Sequence, residues 1–192
     1  MSEVERRMID NDLAFHSAPT LLGVKCANLI SIDRSEQTIA EYLREYSSEL
    51  AARGLRARLL CKCRERTLVY IYNVKMLGAW LKMPQVAELL TEYGYTADMS
   101  AENMLDMLAG RISYGSFPHE IGAFLGYPIG DIRGFISNSG KNCLLCGYWK
   151  VYENAEKARQ TFNTYDRCRE ILFDRLNSDP NLFRAISKEE KI

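Results

Sequence analysis

The sequence predicts an α+β fold in which helices cover a small, mainly antiparallel sheet of about four strands. Two β-rich runs at residues 55–64 and 66–73 follow each other almost directly and partly alternate polar with apolar residues, which predicts an antiparallel hairpin. Helical periodicity dominates the rest of the chain. Because two strands follow one another without an intervening helix, α+β is favoured over a strictly alternating α/β fold.

The elements before the hairpin follow from proline, capping and β-propensity signals. Pro19 suits the first turn of a short helix over residues 18–25. The run CANLISI that follows is apolar and β-rich, and we expect a strand there. Asp33, with Glu36 three residues later, resembles a capping box and predicts the start of the next helix.

After the hairpin the pattern becomes helical again. Residues 74–109 predict three short helices, with breaks near Pro84 and at Gly94 and with Ser100 as the N-cap of the third. A long amphipathic helix is expected from about Asn154. We therefore expect one globular domain over 13–178, with frayed termini at 1–12 and 179–192.

The segment 117–152 is the most informative part of the chain. It concentrates glycine, proline and aromatic residues together with one of only two histidines. Pro118 and Pro128 each predict the start of a short helix, and Gly140 predicts a turn into a strand over 143–152. No simple helix or strand period accounts for the whole segment, so we place the functional site here.

Composition narrows the classes of partner. Lys plus Arg and Asp plus Glu both number 25, so the net charge is zero and an affinity for nucleic acid or anionic membranes is not expected. No run approaches the roughly 18 apolar residues of a membrane-spanning helix. The charged N-terminal residues lack the apolar core of a secretory signal. We therefore expect a cytoplasmic protein with reduced cysteines.

His119 and Glu120 are the first candidates for chemistry. If Pro118 opens a helix, both lie in its first turn, where the helix dipole favours an anion. His119 then serves in proton transfer or ligand binding and Glu120 orients it. The structural alternative is a dipole-complementing acid beside a packed histidine. The sequence HEIGA lacks the second histidine of a metalloprotease motif.

The other histidine, His16, is either a capping residue or a partner of His119 in one site. Lys150 lies between Tyr148 and Tyr152 on one face of the predicted strand, while Trp149 lies on the other. Such a lysine binds a carboxylate or phosphate, or is an ordinary surface lysine. Lys25 is a second candidate for the same cationic role.

The cysteines form two short motifs, Cys61-Lys-Cys63 and Cys143-Leu-Leu-Cys146. In strands, positions three apart point to opposite faces, so Cys143 and Cys146 are not expected to hold one metal ion. We interpret them as packing residues and expect no metal site. The phosphate-binding loops of nucleotide and dinucleotide sites and the serine-hydrolase elbow are absent from the sequence.

Three segments together resemble a known family: FHSAPTLLGVKCANL, FPHEIGAFLGYPIGDIRGFI and GYWKVY. They are similar to an uncharacterised bacterial family from anaerobic Firmicutes, domain of unknown function 3793. The resemblance spans about Phe15 to Cys168 and implies a small cytoplasmic protein. It supplies no mechanism and no cofactor. The candidate residues that fall on family motif positions are His16, Lys25, His119, Glu120, Tyr127, Trp149, Lys150 and Tyr152.

Three hypotheses follow. The first is a protein that binds a small anionic metabolite or cofactor, with His119, Glu120 and His16 as catalytic candidates; the sequence does not decide whether it is an enzyme. The ligand-binding candidates are Lys25, Tyr127, Trp149, Lys150 and Tyr152. The second is a module for a protein partner that displays Phe124, Tyr127, Ile129 and Ile132. The third is a redox or metal protein that uses Cys143 and Cys146.

Overall fold

The computed structural model describes residues 1–63, 66–113 and 118–187, and its fold is α+β, as predicted. Two compact units are distinguished by their internal contacts. The terminal unit comprises Met1–Lys75 and Tyr165–Ile192, and the central unit comprises Met76–Thr164. The single-domain boundaries expected from the sequence stay a prediction.

The helices begin and end at the following residues: α1 Glu3–Leu21, α2 Glu36–Glu45, α3 Ser47–Ala51, α4 Val74–Leu81, α5 Pro84–Thr91, α6 Ala101–Ser113, α7 Ile121–Phe124, α8 Ile129–Ser137, α9 Ala155–Ser178 and α10 Leu182–Ser187. The strands are β1 Ala27–Ile32, β2 Leu55–Cys63, β3 Arg66–Asn73, β4 Leu145–Cys146 and β5 Lys150–Val151. Residues 155–164 of α9 belong to the central unit and the remainder to the terminal unit.

The terminal unit is built on a three-stranded antiparallel sheet in the order β1-β3-β2. The predicted hairpin is confirmed as β2 and β3, although residues 64–65 between them lie outside the described residues. On the central strand, Tyr70 pairs with Leu29 on one side and with Arg58 on the other. The core against this sheet includes apolar residues of α1, α2, α9 and α10.

The start of the chain differs from the expectation. Residues 3–12 belong to α1, which begins with a capping box between Ser2 and Glu5, so Pro19 lies in the last turn of a long helix and opens none. The next helix, α2, is capped by the side chain of Ser35, which accepts from the backbone of Thr38; Asp33 plays no part. The hydroxyl of Ser2 caps α1 and that of Ser35 caps α2, whereas the sequence had suggested helix starts at Pro19 and Asp33.

The second half of the chain follows the predicted helices closely. Three helices, α4 to α6, cover residues 74–113, and Ser100 caps α6 by accepting from the backbone of Asn103. The long final helix begins at Ala155, and the side chain of Asn154 accepts from Lys157 at its start. Beyond it, α10 buries Leu182 and Phe183 within the region expected to fray.

The predicted strand over 143–152 is wrong, because the segment folds back on itself. Its two short strands, β4 and β5, pair with each other around residues 147–149 and form a separate two-stranded sheet. The main sheet therefore has three strands instead of about four. This small hairpin packs against α8, and Val151 and Phe162 lie in its local core.

Candidate functional site

A cavity of about 420 Å³ lies within the central unit, and we call it the α8 cavity. Its walls come from the turn before α7, from α7 and α8, and from the β4–β5 hairpin. The lining residues are Pro118, His119, Ile121, Gly122, Leu125, Tyr127, Asp131, Ile132, Phe135, Trp149 and Lys150. Four of the eight candidate residues proposed from the sequence are among them: His119, Tyr127, Trp149 and Lys150.

Asp131 fixes the hairpin against α8. It lies in the first turn of that helix and is buried. One of its carboxylate oxygens accepts from the backbone amides of Tyr152 at 2.7 Å and Glu153 at 3.1 Å, and the other accepts from the indole nitrogen of Trp149 at 2.7 Å. Bonds to an ionised acceptor are among the stronger hydrogen bonds in proteins. The carboxylate therefore sets the orientation of the Trp149 ring.

Aromatic rings form one wall of the α8 cavity. Tyr127 stacks on Trp149 with ring centroids 5.2 Å apart, and its hydroxyl donates to the backbone oxygen of Tyr148 at 3.2 Å. Phe162 meets the Trp149 ring edge-on at 4.6 Å. The indole is thus held by a stacked ring, an edge-on ring and a hydrogen bond. Such a fixed aromatic surface suits a planar apolar ligand.

Two basic side chains lie beside the ring of Phe135. The His119 ring centroid is 5.5 Å from that of Phe135, and the Lys150 Nζ is 5.9 Å from it. The Lys150 ammonium donates to the backbone oxygen of Gly140 at 2.7 Å. Both His119 and Lys150 are exposed to solvent as residues, so they lie at the mouth of the cavity while the apolar residues line its interior.

Glu120 turns away from the cavity, in contrast to its predicted role beside His119. Its side chain is 1% exposed, and Oε1 lies 2.7 Å from Nε of Arg111 on α6. Arg111 also donates to the backbone oxygen of Tyr93. Burial raises the pKa of Tyr95, and the nearby Glu120 carboxylate raises it further. Glu120 therefore secures the turn before α7 to α6.

The turn itself also departs from the sequence-based expectation. His119 and Glu120 precede α7, which begins only at Ile121, and the Pro118 carbonyl accepts from the Ile121 amide. The two residues therefore do not occupy the first turn of a helix. A helix of four residues that begins after His119 gives that residue no position in a helix dipole.

Tyr152 does not line the cavity either. Its backbone is bound by Asp131, and its side chain packs closely over Gly134 of α8. The expected shared face of Tyr148, Lys150 and Tyr152 does not form, because Tyr148 lies in the turn of the hairpin. Tyr148 instead contacts the ring of Phe162, with centroids 5.5 Å apart.

His16 and Lys25 belong to the terminal unit. His16 is exposed on α1 and packs edge-on against Phe15. Lys25 is buried, and desolvation lowers its pKa to about 8, an effect that the Cys26 thiolate would oppose. Its Nζ lies 5.8 Å from the ring centroid of Tyr165. Neither residue lines the α8 cavity, which contains His119 as its one histidine.

The other hypotheses meet different structural facts. Phe124 and Ile132 are buried, so α7 and α8 do not display them to a partner as the interaction hypothesis requires. Cys143 and Cys146 are free thiols. Across residues 1–63, 66–113 and 118–187, no three His, Cys, Asp or Glu side chains are grouped to hold a metal ion. The side chains of Cys61 and Cys63 lie outside the described part.

Sequence reasoning missed several lining residues. Ile132 and Phe135 are three positions apart on α8 and share a face, a signal that a helical wheel of the predicted helix contains. Asp131 had only a weak signal, because an acid in a first turn usually does no more than complement the dipole. Its contacts to the hairpin depend on the fold-back at residues 147–149.

Within the described ranges, no helix has both the length and the apolar character needed to cross a membrane.

Comparisons with known proteins place the chain in a family. No curated protein and no solved structure matches the chain significantly. A family model described as "Protein of unknown function (DUF3793)" matches residues 13–184, which include every residue of the α8 cavity. Since that match covers most of the sequence, the chain belongs to the DUF3793 family, as its motifs indicated.

Proposed function

We propose that this protein binds a small molecule with a planar apolar body and one anionic group in the α8 cavity. The observation that carries the proposal is the convergence of His119, Tyr127, Trp149 and Lys150 on one cavity of about 420 Å³. That volume lies within the range typical of small-molecule sites, and a mostly apolar lining with a few polar groups is their usual character.

The body of the ligand is inferred from the walls. Ile121, Leu125 and Ile132 supply aliphatic surface, and the Tyr127–Trp149 stack supplies a flat aromatic one. Aromatic rings pack well in offset stacked or edge-on arrangements, so a ligand ring gains contact against this wall. An extended polar ligand such as a sugar would leave its hydroxyl groups without partners there.

The anionic group is inferred from the mouth. Lys150 brings an ammonium with three donors, of which the bond to Gly140 uses one. His119 adds a ring nitrogen on the same side, next to Phe135. A carboxylate or a phosphate on the ligand would pair with these two groups while its body enters the cavity.

Binding is better supported than acid–base catalysis. The carboxylate of Asp131 is engaged by three donors of the hairpin, and that of Glu120 by Arg111 outside the cavity. His119 therefore has no carboxylate among the described lining residues that is placed to orient its ring for proton transfer. A general acid or base normally works with such a partner.

Calorimetric titration with three probes tests the proposal: phenylacetate, phenyl phosphate and the uncharged phenylacetamide. We expect one of the two anions to bind. Lys150→Met should weaken the affinity for that anion by about tenfold or more, because it removes one charge-assisted contact. Lys141→Met is the matched control, because Lys141 is exposed nearby but does not line the cavity. The anion that binds distinguishes a carboxylate from a phosphate ligand.

The histidines offer a second matched pair. His119→Gln should weaken the binding of the same anion, whereas His16→Gln should leave the affinity for it unchanged. Phenylacetamide should bind weakly and indifferently to both substitutions, since it lacks the charge. Equal affinity for amide and anions, equal losses in the paired variants, or no binding of any probe would contradict the proposal.

A further inference from the structure

The exposed face of α1, in the terminal unit, carries a regular apolar seam. Val4, Met8 and Phe15 are 68%, 47% and 59% exposed, and Asn11 between them is also exposed. Their spacing of four, three and four residues is the heptad spacing of two helices packed side by side. The opposite face of α1 holds Ile9 and Leu13, each 1% exposed, so the helix is already anchored in the core.

This seam is unusual for a surface helix. Scattered apolar residues on a surface need no explanation, but these recur on one stripe over three turns. Phe15 and Phe173 of α9, which is 64% exposed, both border a cavity of about 270 Å³. Polar residues line the same cavity: Arg7, Asp10, Asn11, Arg169 and Asn177. Water contact with this stripe is unfavourable, and a second helix would remove it.

We propose that the seam binds a second copy of this chain, α1 against α1 in parallel, to form a two-fold symmetric dimer. The charges that flank the seam support this occupant. On one side lie Glu5 and Asp12, and on the other lies Arg7. In a parallel pair, a residue on the Arg7 side of one helix faces the residue five positions later on the acidic side of the other helix. Arg7 of each copy then faces Asp12 of the other.

The antiparallel alternative places like charges together. In that arrangement the two acidic flanks oppose each other, so Glu5 faces Asp12 of the other copy twice, and Arg7 gains no acidic partner. Like charges opposed at an interface cost affinity and exclude wrong partners. Asn11 also favours the parallel, in-register arrangement. In that arrangement its side-chain amide lies against Asn11 of the other copy, whereas out of register it faces an apolar residue.

Three of the four seam residues precede residue 13, where the match to the family model begins. The proposal therefore rests on the residues of this chain alone and is independent of the α8 cavity. Either one stands if the other fails.

Sedimentation of the full chain over a micromolar to sub-millimolar range tests the dimer. We expect a concentration-dependent dimer, and expect Met8→Glu to abolish it by opposing two carboxylates across the two-fold axis. Leu144→Glu is the matched control: Leu144 is 60% exposed but belongs to the central unit and is not a seam residue. A wild-type monomer throughout the range, or a dimer that Met8→Glu leaves intact, would overturn the proposal.

Charge reversal tests the partner and the orientation together. Arg7→Asp and Asp12→Arg should each weaken the homodimer by about tenfold or more, because each opposes like charges twice. Mixing the two variants should form a heterodimer of about wild-type affinity, since every Arg or Asp then meets its opposite. That recovery also shows that both variants are folded. Failure to recover on mixing, with native circular dichroism for both, would overturn the parallel pairing.

Discussion

Asp131 illustrates how a single residue organises the candidate site. It is 4% exposed, yet its carboxylate accepts three hydrogen bonds from the β4–β5 hairpin. A two-stranded hairpin of this size has little stability alone. The bonds to Asp131 therefore hold the hairpin, and with it Trp149 and Lys150, in the place where they line the α8 cavity.

Asp131→Asn should lower the free energy of unfolding of the central unit by about 2 kcal/mol, because the amide loses the charge and turns an NH₂ toward groups that are themselves donors. Urea unfolding followed by tryptophan fluorescence measures this, since Trp80 and Trp149 both lie in the central unit. Glu88→Gln, at an exposed acid of α5, is the control and should change little. Equal stability of the two variants would show that the three bonds contribute nothing net.

The residues of the site were predictable where their type alone limits their role. His119, Trp149 and Lys150 stood out because histidine and tryptophan are rare in this chain and because the lysine lay among aromatic residues. The sequence placed Glu120 beside His119, and it does not show that Arg111 on α6 lies 2.7 Å from the Glu120 carboxylate. Pairing across elements decides the role of a charged residue, and one sequence carries little information on such pairs.

At the scale of elements, local signals predicted what local forces determine. The β2–β3 hairpin, the three helices from residue 74 and the start of α9 follow from β-propensity, breakers and caps. The strand over 143–152 failed because its composition suits both a strand and a hairpin. What selects the hairpin is the docking of its ends on α8 through Asp131, a contact between distant positions.

The close approach of the hairpin to α8 requires a glycine. A Cβ at Gly134 would lie 2.4 Å from the Cβ of Tyr152, a distance at which backbone must move. Gly134 lies within a helix, where glycine is normally unfavourable compared with alanine. Its presence there is explained by packing against Tyr152 and not by helix propensity.

Gly134→Ala should therefore destabilise the central unit by about 2 kcal/mol through overpacking, in spite of the better helix propensity of alanine. Gly78→Ala is the matched control, because Gly78 lies in α4 with open space where a Cβ would lie, and it should stabilise by about 0.5–1 kcal/mol. Unfolding by urea under tryptophan fluorescence compares them. If both changes shifted stability in the same direction, the packing explanation of Gly134 would be wrong.

The whole molecule has 25 basic and 25 acidic residues, so its formal charges balance. It nevertheless buries several groups whose pKa values change on folding. Burial raises the pKa of Cys26 and of Cys168 to about 11 and lowers that of Lys25 to about 8. These effects oppose one another above neutral pH. Where the thiol keeps its proton in the native state but loses it in the unfolded chain, the folded protein loses stability as pH rises. Where the lysine has lost its proton in the native state but keeps it in the unfolded chain, the folded protein gains stability as pH rises.

The contribution of Lys25 can be isolated by comparing the wild type with Lys25→Met. The native pKa of about 8 is below the ordinary 10.5, so between these values the unfolded chain binds more protons, and stability rises with pH. The charge therefore penalises the native state most strongly below pH 8. Lys25→Met should be more stable than the wild type by about 3 kcal/mol near pH 7 and by only about 1 kcal/mol near pH 9.5.

The difference between the two proteins cancels the titration of groups that both contain, such as the thiol of Cys168. Urea unfolding followed by far-ultraviolet circular dichroism is the appropriate measurement, because Lys25 lies in the terminal unit, which contains neither tryptophan. Lys75→Met, at an exposed lysine of the same unit, should show a small difference that does not vary with pH. A pH-independent difference for Lys25→Met would mean that Lys25 keeps an ordinary pKa in the folded protein.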